Sequence, residues 1–462
     1  MRSKRSPWAR WALLFSVLLT MLPLTAPVRA DLRLAMFATP YPDDPRCGQF
    51  GMDIRRPGPQ IPVAAPVVQD LTLRGQYGEL AGRLSLAIGR DFELSGLFYV
   101  LPSGNVPPNT LTWNSPLAFD YLGWREAGAW MVVVGEVQPG PEGLVSVRFD
   151  AYMTEEGDVL KIAGAAAPVE LQYVEAFAHR YVNALQKCLT GMPGRFGTRI
   201  AYSRRMGMGE GKEIFVTEFG SPSQTKVTED GVLAMLPSWA PGGGLAYTGY
   251  RRGNPDVYVG DRLFSSRPGQ NSGVVFSPDG RYAAVTLAVD GMVDLYLLDG
   301  RTGEEVVRLT KSRAIDTSPS WSPDGRRIVF VSDRDGGPNL WMMNADGTEQ
   351  KPLALPGSYN TSPDWSVDGA EIVYQSRGEM GRFSIWKVDL LTGDLKRLTG
   401  GAWDDEEPSF SPDGRMIAFT STRRGAKLLF VMVSDGSGAV PLFVDGGDYF
   451  TPAWERTVLT PH

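Results

Sequence analysis

The chain has 462 residues, 43% hydrophobic and 21% charged, which marks it as globular rather than disordered and leaves room for two or three domains. Its 53 glycines and 35 prolines favour many short strands over long helices. The formal charge is −6, and losing residues 1–30, with five basic side chains and no acid, would leave −11, which excludes a general electrostatic affinity for nucleic acid.

The N-terminus has the layout of an export signal. Arg2, Lys4, Arg5 and Arg10 precede an apolar run from Trp11 to Leu22. Pro23 breaks that run, and Val28-Arg29-Ala30 places small residues around a cleavage point after Ala30. The run is too short for a bilayer span, which needs roughly 20 residues. Residues 1–30 are therefore expected to be a signal peptide, and the mature chain is expected to lie outside the cytoplasm. The proline-rich stretch from Asp31 shows no periodicity and reads as an extended arm over 31–50. Two cysteines are present, Cys47 and Cys188. In an oxidising compartment they form either one disulfide or two unpaired thiols; geometry, which spacing does not supply, decides between them.

Residues 31–190 mix helix and strand patterns and predict a small α/β domain. Tyr77–Leu94 carries Leu80, Leu84, Leu86 and Ile88 at helical spacing and stops at Gly96. Trp130–Val137 and Leu144–Tyr152 read as strands. Val169–Leu189 reads as a final helix with Val174, Phe177, Tyr181 and Leu185 on one face. Residues 191–197 read as a linker.

The remainder, 198–462, repeats itself. Trp239, Phe276, Trp321, Trp365, Phe410 and Trp454 recur at intervals close to 44 residues. Four of them are followed by a turn: Ser277-Pro278-Asp279-Gly280, Ser322-Pro323-Asp324-Gly325, Ser366-Val367-Asp368-Gly369 and Ser411-Pro412-Asp413-Gly414. Each residue suits its place, since proline presets φ, aspartate bonds back to the chain and glycine accepts a positive φ. Alternating strands follow each turn, giving four strands per repeat, the pattern of a β-propeller blade. The first repeat lacks its opening strand and the last has only that strand. An all-β six-bladed β-propeller closed by the C-terminal strand satisfies both ends, with each aromatic expected between adjacent blades.

Chemistry-bearing motifs are scarce. The two histidines are His179, expected half-buried on a helix, and His462, the final residue. No G-x-S-x-G elbow, P-loop, H-E-x-x-H or metal-spaced cysteine cluster occurs. The aspartates of Asp333-Arg334-Asp335-Gly336 read as solvated turn residues rather than a cation site. Glu406 and Glu407 are adjacent on a strand, which should point them to opposite faces. No catalytic, cofactor-binding or metal-ligating residues are assigned, and the chain is expected not to be an enzyme.

With these features in place, a family resemblance becomes visible. The junction Gly191-Met192-Pro193-Gly194-Arg195-Phe196-Gly197-Thr198-Arg199-Ile200-Ala201-Tyr202, the Trp-Ser-Pro-Asp-Gly repeats, Ser95-Gly96-Leu97-Phe98 and Val132–Val137 together resemble the TolB family, periplasmic components of the Tol–Pal envelope system. The resemblance implies binding of a Pal-like peptidoglycan-associated lipoprotein through the propeller and of a TolA-like inner-membrane protein through the N-terminal part. It also implies roles in outer-membrane integrity, cell division and protein import. It places the lipoprotein at the channel mouth, on positions that match Gln270, Asn271, Asp316, Thr317, Asn360, Thr361, Asp405 and Glu406 here; these precede the inner strands and should offer polar groups around a concave site. Two departures stand out: family members often carry histidine where Gln270 stands and an acid where Ser318 stands. In addition, residues 31–50 extend ahead of the matching segment Met52-Asp53-Ile54. A propeller that binds cell-wall carbohydrate, or a propeller hydrolase or lyase, is the competing reading.

Overall fold

A computed structural model describes residues 44–50, 60–64, 67–72, 75–102, 119–207, 209–229, 231–357, 359–378 and 380–456. The expected signal peptide, residues 31–43, Met52-Asp53-Ile54 and His462 lie outside the described residues. Among the described residues no helix is long and apolar enough to cross a membrane.

The N-terminal part is a seven-stranded mixed sheet with helices. Strands β1 (Ile61–Val63) and β2 (Val67–Asp70) share one lane, parallel to β4 (Met131–Pro139), and β3 (Phe98–Val100) runs parallel beside β1. Strand β5 (Val145–Met153) pairs antiparallel with β4, and β6 (Asp158–Leu160) and β7 (Ala166–Val169) share its other edge. Helix α1 (Gly78–Leu94) buries Leu80, Leu84, Ile88 and Phe92, spaced four residues apart. Leu86 belongs to the opposite face and is exposed. A short helix, α2 (Tyr121–Glu126), starts at Asp120, whose carboxylate accepts from the Gly123 N–H. The last helix, α3 (Val174–Thr190), begins later than its apolar pattern suggests, because Val169 is already committed to β7, pairing with Val145.

The arm differs from its expected extended form where it is described. Residues 45–49 turn. Asp44 accepts from Arg46, and its own N–H donates to the Lys161 carbonyl at 3.0 Å. Cys47 is disulfide-bonded to Cys188 near the end of α3, and Phe50 meets Trp130 edge-on.

The rest is a six-bladed propeller. Five blades (II–VI) are four-stranded meanders with innermost strands Ala234–Ala240, Asn271–Phe276, Asp316–Trp321, Asn360–Trp365 and Asp405–Phe410. Blade I comprises β8 (Arg199–Arg205), β9 (Lys212–Glu218), β10 (Thr225–Lys226) and, as its innermost strand, the last strand of the chain, Asp448–Trp454. That strand pairs antiparallel with β8, so the two ends of the ring share one sheet.

The repeated turns obey one scheme. Ser277, Ser322, Ser366 and Ser411 each donate to the aspartate two residues on and accept the N–H that opens the next strand. The serine hydroxyl bond holds the carboxyls of Asp279 and Asp324 below the ordinary carboxylate range. In the outer hairpins backbone N–H groups do the same for Asp299 and Asp389, as the Thr348 hydroxyl does for Asp346. A carboxyl depressed by folding stabilises the fold above its unfolded value and loses that contribution as pH falls through the folded value. The share of urea resistance that these turns supply is therefore expected to be level above about pH 5 and to drop below about pH 4. Ser277→Ala with Ser322→Ala should make that drop shallower; an unchanged acid slope would show that these turns do not set it.

The core runs without a break from α1, α3 and the sheet into blades V, VI and I, joining Phe177, Leu185 and Phe196 to Phe219, Phe410, Met416 and Trp454. Polar contacts seal the join. Arg195 pairs with Asp413, and the guanidinium of Arg415 donates to the Pro193 carbonyl. Gly220, at φ +98°, is required here, since a Cβ would lie 2.7 Å from Asp91 and 2.9 Å from both His179 and Phe196.

Candidate functional site: the channel mouth

The six innermost strands touch one another in cyclic order and line a central channel. Each carries the same irregularity. Pairing with the second strand shifts between the second and fifth positions of the repeat. The third position is left-handed in every blade: Leu236, Gly273, Ser318, Ser362, Glu407 and Thr451, with φ between 47° and 64°. Five of the six next residues are proline, Pro237, Pro319, Pro363, Pro408 and Pro452. Proline lacks an N–H and is tolerated at a bulge on an edge strand. Five non-glycine residues in this conformation cost about 1–3 kcal/mol each, a strain that persists only where the surroundings over-determine it.

Side chains and amides at the bulges stitch the blades together. The Gly273 N–H donates to Thr248, Thr286 meets Thr317, the Glu407 N–H donates to Gln375, and the Thr451 N–H donates to Glu407. Around the remaining seams Ser320 reaches Asp364, and the Trp239 indole donates to the Ala453 carbonyl.

The eight positions matched to the family's binding face divide into two sets. Asn271, Asp316, Asn360 and Asp405, the first residue of each strand, are fully buried. Asn271 bonds Ser265 and the backbone of residues 267 and 269. Asp316 takes Arg334 at 2.7 Å, Asn360 takes Asn339, and Asp405 takes Arg423 and the Trp403 indole. These four lock the loop entering their strand and have little to offer a partner. Gln270 is exposed, and Thr317, Thr361 and Glu406 are half-buried. These four keep part of their surface exposed where the innermost strands begin.

Glu406 and Glu407 do not point to opposite faces. The left-handed bulge at Glu407 breaks the alternation, and both carboxylates reach Lys427, at 2.9 and 3.5 Å. Burial alone would lower the Lys427 ammonium, but the two glutamates outweigh it and hold it above its ordinary value. Lys427 also lies 5.0 Å from the centre of the Phe450 ring. Nothing at sequence level marks Lys427 as a mouth residue, because the bulge that creates the contact is invisible to a period-two reading.

His179 is more enclosed than expected. It is 5% exposed, and its Nδ1 lies 2.7 Å from Asp91, which is completely buried. Burial pushes the Asp91 carboxyl up to about 6. Burial opposes the charge on His179, but the bond to Asp91 outweighs it and raises the imidazole above its ordinary value. The pair imitates two members of a hydrolytic triad, yet it sits under Gly220 and Phe196 at the join with the propeller, where substrate has no access. It ties α1 to α3 beneath the join with the propeller.

Comparison with known proteins agrees with this architecture. A model described as the TolB amino-terminal domain matches residues 55–159, and one described as the TolB beta propeller domain matches residues 186–458. The Tol-Pal system protein TolB of Bordetella pertussis is 32% identical over 419 residues, covering 89% of this chain and 92% of that protein. The protein of the same name from Bordetella bronchiseptica is also 32% identical, over 89% of this chain and 91% of its own length. The crystal structure of TolB from Acinetobacter baumannii superposes with a TM-score of 0.72 at 25% identity, covering 87% of this chain and 98% of that one.

Proposed function

The chain belongs to the TolB family, and from that premise we propose that it is a periplasmic, non-enzymatic component of a Tol–Pal system. Its propeller binds a Pal-like lipoprotein at the channel mouth, and its N-terminal part engages a TolA-like inner-membrane protein. Through these contacts it serves outer-membrane integrity, cell division and protein import.

One observation carries the docking face. Gln270, Thr317, Thr361 and Glu406 present polar groups from four successive blades, on strands held by bulges and cross-blade bonds. Such a surface is preorganised, so a docking loop need not spend binding energy on ordering it. The strained ring supports the same reading, since strain of this kind clusters at ligand clamps.

The test is calorimetric titration of the full mature chain with the soluble domain of the lipoprotein from the same cell. The variant Thr317→Ala with Glu406→Ala should bind about tenfold more weakly, while its urea midpoint, read separately, reports the loss of the Thr286 and Lys427 contacts. Unaltered affinity would place the docking face elsewhere, and no heat with the unmodified chain would remove the lipoprotein as partner.

A further inference from the structure

The mouth is uneven in charge, and its unevenness is concentrated in blade I. Phe450 occupies the position of the last strand that Thr317, Thr361 and Glu406 occupy in theirs, and is half-buried. Three cations converge on its ring: Lys212 with Nζ 3.4 Å from the centroid, Lys427 at 5.0 Å and Arg205 with Cζ at 5.6 Å. Cation–π attraction accounts for each approach singly, but it does not cancel the repulsion among three positive charges. Lys427 is neutralised by Glu406 and Glu407. Among the described residues, no ion pair is made by Lys212 or Arg205. Asp448 stands opposite Arg205 across the sheet, and Glu407 and Asp448 attract Lys212 without forming an ion pair with it. Lys212 is half-buried, so its charge is partly desolvated and, among the described residues, has no carboxylate in ion-pair contact. Burial, together with Arg205 and Lys427, lowers its ammonium against the opposing pull of Glu407 and Asp448.

A carboxylate placed between Lys212 and Arg205 would relieve this surplus, while the Phe450 ring would cover the aliphatic stem that carries it. We propose that Arg205, Lys212 and Phe450 form a subsite for an acidic side chain, aspartate or glutamate, on the loop of the protein that docks at the mouth. This deepens the docking reading and rests on it. The subsite fixes the loop's rotation about the channel axis, because the other position-matched residues of the ring are hydroxyls (Ser272, Thr317 and Thr361), an apolar Met235 and the already neutralised Glu406.

The experiment titrates the lipoprotein's soluble domain into the full mature chain at low and moderate salt. Lys212→Gln, and separately Arg205→Gln, should each weaken binding about tenfold and flatten its salt dependence, since charge pairs at such sites are screened by ions. Both variants should keep the parent's urea midpoint. If the Thr317 and Glu406 pair of substitutions weakens binding while neither cation variant does, the subsite is refuted and the docking face survives. If the parent chain binds no lipoprotein, both fall together. Anionic phospholipid vesicles form the control arm: loss of vesicle binding in Lys212→Gln with unchanged lipoprotein affinity would make the cluster a lipid contact and overturn the proposal.

Discussion

Trp454→Ala should lower the unfolding free energy by about 3–5 kcal/mol, the range for truncating a buried tryptophan. Trp454 is 2% exposed and ends the strand that closes the ring. Its ring packs on Phe219 with centroids 4.9 Å apart, its indole N–H donates to the Thr198 hydroxyl, and its backbone N–H donates to Ser409 of blade VI. The substitution therefore opens a cavity, removes one of the two hydrogen bonds of the Thr198 hydroxyl and loosens the sheet that joins both ends of the propeller. The matching change at Trp239 should cost clearly less. That residue is half-buried, covered on one side by the Arg199 guanidinium 4.5 Å from its ring. Guanidinium titration separates the two, read as a shift in midpoint at constant slope. Equal losses would show that burial at the closing seam is not what distinguishes them.

The second large effect belongs to the disulfide. Cys47 and Cys188 are 141 residues apart in sequence, and cross-linking so long a loop restricts the unfolded chain by about 5 kcal/mol in the chain-entropy treatment. Replacing both with serine should lower stability by about that amount. The arm keeps other tethers, among them the Asp44 N–H to the Lys161 carbonyl and the Gly48 N–H to the Cys188 carbonyl. A reductant should therefore lower the melting temperature of the parent chain and leave the serine variant unmoved. A parent chain indifferent to reductant would mean that the remaining tethers, not the covalent link, hold the arm.

The blades were legible because their signal is local. A Ser-Pro-Asp-Gly turn contains all the groups that make its bonds, so four residues suffice to announce it, and the period of the aromatics then counts the sheets. Trp239, whose repeat lacks that turn, is only half-buried, and so is Phe276, whose repeat has it. Features assembled from distant pieces were illegible. Asp91 and His179 are 88 residues apart and meet only when α1 and α3 pack together against the propeller. The buried state of Asn271, Asp316, Asn360 and Asp405 was hidden because polarity suggests exposure, whereas partners such as Arg334 and Arg423 come from the hairpin turn beyond the next strand. Glu406 and Glu407 show the limit of periodicity most plainly: one left-handed residue turned an alternating pair into a shared grip on Lys427.

The bulged, proline-bearing inner strands have one more consequence. A protein that presents a free sheet edge can be recognised by β-augmentation, in which a guest segment continues the ladder through main-chain bonds and side chains matter little. Here the third residue of each inner strand is turned out of the ladder, and in five blades the fourth has no N–H to give. The same edge is thereby protected from stray pairing with other chains. A guest at this opening must be read by its side chains, one contact per blade, so selectivity can be retuned by exchanging single residues around the rim while the backbone stays as it is.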